Sequence, residues 1–147
     1  MRPDPARVLM GVATNLMVGL MPEVRTPFGQ SMAGMAGMLT LVLAQEVDRL
    51  ADRLQSETEA VAAILEDALP VLDAPLPARV RAAIDQRVTQ NIRVSTLQAA
   101  NDRIRAVLID VHAAIDVLTG AQAAALNARI WDELRESTRR RHVEIPR

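Results

Sequence analysis

Residues 95–118 read STLQAANDRIRAVLIDVHAAIDVL. Ile104, Val107, Leu108, Val111, Ile115 and Leu118 recur at intervals of three and four, which gathers them on one stripe of an α-helix. Ser95 and Gln98, three apart and ahead of the stripe, have the capping-box arrangement that opens a helix. Gly120 is expected as its C-terminal stop, because glycine accepts the backbone conformation that ends helices. A helix from about Ala121 to Arg140 should follow, with Leu126, Ile130 and Leu134 one turn apart.

Working back toward the N-terminus, a short helix is expected from Ala78 to about Val88. The stretch Val71–Pro77, with Pro70 before it, Pro75 within it and Pro77 at its end, is the only candidate for an internal linker. Ser56 and Glu59 repeat the capping-box pattern and predict a third helix through Val61, Ile64 and Leu65 to Leu69. A second helix is expected from about Gln30 to Leu54, after a loop, Glu23–Gly29, that holds Pro27 and Gly29. The first helix starts from Asp4 as N-cap, with Pro5 pre-set at the first helical position, and is stopped by Pro22. No hairpin signal and no internal repeat interrupts this series. The expected fold is all-α: a bundle of four long helices plus one or two short ones, in a single domain over residues 1–147.

Composition agrees. Half of the 147 residues are apolar, which argues against disorder, and the aromatics are Phe28 and Trp131 alone. All 17 basic residues are Arg, and there is no Lys, Cys or Tyr. Schiff-base lysine chemistry, thiolate nucleophiles, disulfides and Cys-ligated zinc are therefore excluded. The absence of Cys fits a reducing compartment, and the expected localisation is cytoplasmic. A formal net charge of −1 argues against general nucleic-acid binding. The charge is uneven: residues 46–73 carry eight acids against two Arg, whereas residues 74–147 carry twelve Arg against eight acids. Such polarity suits pairing inside a bundle or between subunits. Arg2 and Arg7 precede an apolar stretch from Val8 to Met21, but Pro3, Asp4 and Pro5 spoil a leader's basic start and no small-residue cleavage site follows. The apolar run Met32–Ala44, 13 residues long, is expected to be too short for a membrane span.

Catalytic patterns are sparse. The Glu-x-x-His pairs of a di-metal bundle are missing, as are a phosphate loop's strand and lysine, so neither metal nor cofactor is expected. His112 and Asp116 are one turn apart and could form a base oriented by a carboxylate. Arg139, Arg140 and Arg141 could contact an anion, or could fray into solvent at the negative end of a helix dipole. All seven methionines fall within the first 38 residues. Met10, Met17, Met21, Met32, Met35 and Met38, interleaved with Gly34 and Gly37, describe a helical hairpin with a soft apolar surface. That surface is ordinary core, a subunit interface or a pocket for an apolar small molecule such as an acyl chain, sterol or terpene.

The strings Arg2-Pro3-Asp4-Pro5, Leu20-Met21-Pro22, Ala36-Gly37-Met38-Leu39-Thr40-Leu41 and Glu46-Val47-Asp48-Arg49-Leu50, and more loosely Leu126-Asn127-Ala128-Arg129-Ile130, support a comparison. Over its first ~55 residues the chain resembles a family of small helical bacterial proteins of unknown function. Members are encoded beside acyl-CoA dehydrogenases and aminoglycoside-phosphotransferase-like kinases that act on hydroxyacyl-CoA. The resemblance implies an accessory subunit for an acyl-CoA kinase or dehydrogenase, and it carries over no catalytic residue. The expected function is thus non-catalytic association through the Met-rich hairpin, as a homo-oligomer or with a partner enzyme. The alternatives are an apolar-ligand binder and a small enzyme using His112 with Asp116.

Overall fold

The computed structural model describes residues 3–87 and 90–143. Met1, Arg2 and Val88, on which the sequence reading also drew, lie outside them. Among the described residues there are five α-helices and no strand: α1 (Pro5–Thr14), α2 (Pro27–Ala68), α3 (Leu76–Asp85), α4 (Val94–Asp116) and α5 (Ala121–Arg140). The all-α expectation holds. A π-helical stretch, Asn15–Leu20, and a 3-10 turn, Met21–Glu23, prolong α1 to Pro22 and beyond.

The chain divides into two compact units. The first holds the described residues up to Leu50 together with Val143, and the second is Ala51–His142. In the second unit the stripe read from residues 95–118 lies at the centre. Ile104, Val107, Leu108, Val111 and Ile115 meet Val61, Leu65 and Ala68 of α2, Val80 and Ile84 of α3, and Leu126 and Ile130 of α5 in one buried cluster. Each fully buried side chain of this size contributes about 1.5–3 kcal/mol. Leu118, assigned to the same stripe, falls beyond the end of α4 and is exposed.

Four boundaries differ from the sequence reading, each for a local reason. The second and third expected helices are one 42-residue helix, α2. Ser56 is exposed mid-helix, and the buried face continues past it through Leu54, Glu57, Thr58 and Val61, with neither Gly nor Pro to break it. α2 also begins at Pro27, because Thr26 caps it: the Thr26 hydroxyl accepts a hydrogen bond from the Gly29 amide at 3.2 Å, and Pro27 takes the first turn, where its missing N–H costs nothing. Gly120 caps the start of α5 and does not end α4. Its φ of 111° is one that only glycine adopts without strain, and its carbonyl accepts from the Ala124 amide at 3.1 Å. Likewise Ser95 lies inside α4, and Gln98 spends its amide on Asp102 at 2.7 Å.

The charge polarity is resolved within the second unit. On the acidic half of α2, Glu59 and Glu66 pair with Arg87 at 3.4 and 3.6 Å, and Asp67 pairs with Arg129 of α5. Arg79 of α3 reaches Asp110 of α4 at 2.5 Å. These are surface pairs, worth up to about 1 kcal/mol each, and they orient helices more than they stabilise them.

The continuity of α2 gives a prediction of opposite sign to that of a capped break. Ser56→Ala should raise stability to urea by about 0.5 kcal/mol, as alanine does in an exposed helix interior. An N-cap serine would instead lose about 1 kcal/mol on the same change.

Candidate functional site

The first unit is a helical hairpin built on small residues. Asp4 opens α1, its carboxylate accepting from the amides of Ala6 and Arg7 at 3.0 and 3.4 Å. The positions of this unit that are buried are Ala13, Ala33, Gly37 and Ala44. At Gly37 a Cβ atom would lie 2.4 Å from Met17 Cγ and 3.3 Å from the Ala13 carbonyl oxygen, so a side chain there would require Met17 to move. At Gly34 a Cβ would come within 3.2 Å of Met21 Sδ. Backbones approach closely where only small residues intervene, and the bulky residues are thereby turned outward.

The methionine set accordingly divides. Met17 and Met21 lie over the two glycines and are half-buried, as is Met38. Met10, Met32 and Met35 face solvent with 50, 50 and 60 % exposure. They belong to a larger group: eleven large apolar residues between Val8 and Val47 are exposed, against six in the whole second unit among the described residues. Six of the eleven, Phe28, Met32, Met35, Leu39, Leu43 and Val47, fall within about 120° of one face of α2, given 3.6 residues per turn. The opposite side of the same helix carries Ala33, Gly37 and Ala44 into the seam. A shallow groove beside α1 is lined by Val12, Asn15, Leu16, Gly19, Leu20 and Glu23.

Uncharged polar residues lengthen this surface beyond the 13-residue run counted in the sequence. No charge occurs from Thr26 to Gln45. The helical run Pro27–Val71 is, by length and composition, long and apolar enough to cross a membrane, and 17 % of its most apolar window is buried. The hydroxyls of Thr14 and Thr40 bond back to the carbonyls of Met10 and Ala36 at 3.0 and 2.7 Å, so they add little polarity to the surface.

The other sequence candidates lie in the second unit. His112 and Asp116 do not bond directly. Asn127 of α5 stands between them, its Oδ1 3.0 Å from His112 Nε2 and its Nδ2 donating to Asp116 Oδ1 at 3.3 Å. Trp131 closes edge-on against the imidazole, with ring centroids 5.5 Å apart, above an open depression shared with Ile109 and Ala113. This chain of three side chains fixes α4 to α5. Nothing in the sequence reading singled out Asn127, which is fifteen residues from His112.

The arginine cluster at the end of α5 is not frayed. Arg139 pairs with Glu136 at 3.4 Å, and Arg140 holds both carboxylate oxygens of Glu133, at 2.8 and 3.4 Å. The Arg140 guanidinium is held above its ordinary value, first by that hydrogen bond, with desolvation opposing it and the charges of Glu133, Glu136 and Glu57 adding to it. Arg141 reaches back to Glu57 of α2 at 2.7 Å. Glu57 is 0 % exposed, and it also accepts from Ser137 at 3.0 Å with Arg105 3.7 Å away. Carboxylates thus already occupy the three arginines offered as an anion contact. No group of three or more His, Cys, Asp or Glu side chains able to hold a metal occurs among the described residues.

No protein-family model, curated protein or solved structure matches the chain.

Glu57 was not flagged by the sequence, where it reads as one acid among eight. Its replacement by Gln should lower stability to urea by about 2 kcal/mol, since charge-assisted bonds from Arg141 and Ser137 are lost in a buried site. Far-UV circular dichroism across a urea titration checks this. Unaltered stability would mean that solvent reaches the carboxylate.

Proposed function

We propose that this chain is a non-catalytic interaction protein whose working surface is the N-terminal hairpin. One observation carries the reading: the hairpin exposes eleven large apolar side chains while it buries alanine and glycine. Monomeric proteins rarely leave contiguous apolar patches of more than a few hundred Å² in water. Methionine at three of the exposed positions suits a surface that adapts to a partner's shape. The resemblance noted above supplies the class of enzyme partner, an acyl-CoA kinase or dehydrogenase, with this chain as its accessory subunit. The groove beside α1 is open and shares Val12 and Leu20 with the exposed apolar set, which favours a docking role over an enclosed ligand pocket.

The reading separates two kinds of substitution. Met35→Glu, at an exposed position, should leave the thermal midpoint and helical content unchanged and abolish association. Gly37→Val should lower stability by about 2 kcal/mol, because the added methyls meet Met17 in a closed seam. A photo-crosslinking residue at Met35 or Leu39 in the native cell should join the chain to another polypeptide. A chain that stays uncrosslinked, with Met35→Glu unfolding it, would mean that these residues are core.

A further inference from the structure

Beyond the hairpin, we infer that the depression between α4 and α5 beside Trp131 binds the guanidinium of an arginine side chain from a partner polypeptide. The site lies wholly in the second unit and does not depend on the hairpin's role. It is lined by Ile109, His112, Ala113, Asp116 and Trp131, with a volume of about 230 Å³. Pockets for drug-sized molecules usually run to ~300–1,000 Å³ and enclose what they bind. A smaller, open depression suits one side chain projecting from another surface.

What it can recognise follows from the Asn127 amide. A carboxylate only accepts hydrogen bonds, so Asp116 Oδ1 requires the Nδ2 end of that amide, 3.3 Å away. The amide oxygen is thereby turned to His112 Nε2 at 3.0 Å. A carbonyl oxygen also only accepts, so Nε2 carries the hydrogen and Nδ1 of the neutral imidazole is left as an acceptor. His112 lines the depression, and its Nδ1 has no hydrogen-bond partner among the described residues. Asp116 is exposed, is the one charged residue of the lining, and pairs with no Arg among the described residues. Arg105, Arg129 and Arg135, about a turn or less from the lining residues along their own helices, are held by Glu57, Asp67 and Asp132.

Two acceptors, one of them anionic, beside an indole that is 50 % exposed select a cation with hydrogens to donate. Carboxylates and phosphates are repelled by Asp116, and a quaternary ammonium has no N–H for His112. A guanidinium is planar, carries five N–H donors and stacks on aromatic rings, so it can lie on Trp131 while donating to Asp116 and His112. Its methylene stem then covers Ile109 and Ala113. The compact ammonium of lysine is more strongly hydrated and lacks the flat face. No existing bond is broken, because Nε2 and Oδ1 keep their partner in Asn127.

The chain has one Trp and no Tyr, so its intrinsic fluorescence reports on this site. N-acetylarginine amide, titrated into the full chain at about pH 8, where imidazole is neutral, should give a saturable change in Trp131 emission. A stacked, charge-assisted contact on an open face corresponds to half-saturation on the order of 1–10 mM. The citrulline counterpart, of the same shape without the charge, should produce no change, and the lysine counterpart should need several-fold more. Asp116→Asn keeps an oxygen for Asn127 and removes the charge. It should weaken the arginine response about ten-fold with helical content unchanged. Should that variant lose its helices, Ala113→Arg replaces it: this exposed position then supplies a guanidinium of its own, and the added amide should elicit no further change. Emission that stays flat up to ~100 mM arginine amide overturns the inference. So does a citrulline or lysine amide acting at the same concentrations as arginine, or a response that survives Asp116→Asn or Ala113→Arg undiminished. None of these outcomes bears on the crosslink at Met35 or Leu39, which tests the hairpin separately.

Discussion

The close approach of α1 and α2 at Gly37 is the constraint from which the character of the first unit follows. A helix pair can be held together by filling its seam with bulky apolar side chains or by removing side chains so that the backbones touch. Here the second route is taken, with Ala13, Ala33, Gly37 and Ala44 inside and Met17 laid over the glycine. The consequence is unavoidable on a helix with 3.6 residues per turn. If the small residues occupy the seam, then Phe28, Met32, Met35, Leu39, Leu43 and Val47 occupy another face. A seam of alanine and glycine removes little apolar area from water, at about 0.8 kcal/mol per methylene. The hairpin therefore has more apolar surface outside than inside, the reverse of the second unit, where Leu, Ile and Val fill the core.

The second unit meets a different constraint at Glu57. Burying a carboxylate costs several kcal/mol unless its oxygens are satisfied. Ser137 and Arg141 of the α5 end supply bonds to both oxygens, and Arg105 of α4 supplies further positive charge. Nearby, Asn101 of α4 donates to the Thr58 hydroxyl at 3.2 Å, and that hydroxyl bonds the Leu54 carbonyl at 2.7 Å. Apolar packing tolerates small slips of one helix along another, whereas a buried carboxylate with fixed donors does not. The ion pairs of Arg79, Arg87 and Arg129 act at the surface in the same direction.

Much of this was legible in the sequence and the rest was not, for physical reasons. Helix periodicity located α4 and α5 because their apolar stripes face one core. The break assigned before Ser56 failed because Ser-x-x-Glu is equally what an exposed helix interior presents, and only the buried face running on through Glu57 and Val61 decides between them. The methionine hairpin was legible as a hairpin, but periodicity reports only that apolar residues share a face. It cannot say whether the seam is made by the large set or the small one. The Asn127 bridge between His112 and Asp116, and the Arg141–Glu57 pair across 84 residues, depend on helix placement that no local pattern encodes.

Where a protein acts is often where its groups remain unsatisfied in isolation. In the second unit the chemistry-bearing side chains are turned inward on one another: the His112 Nε2 faces an amide, Arg140 grips Glu133, and Arg141 grips Glu57. Each of these polar groups would have to break an existing bond before meeting a ligand, which raises the cost of binding there. The first unit has the opposite condition. Its threonine hydroxyls are bonded to their own helices, Arg7 and Arg49 are paired with Asp4 and Glu46, and eleven large apolar side chains stand exposed. Surface of that kind gains free energy from any apolar cover and discriminates by shape, not by charge.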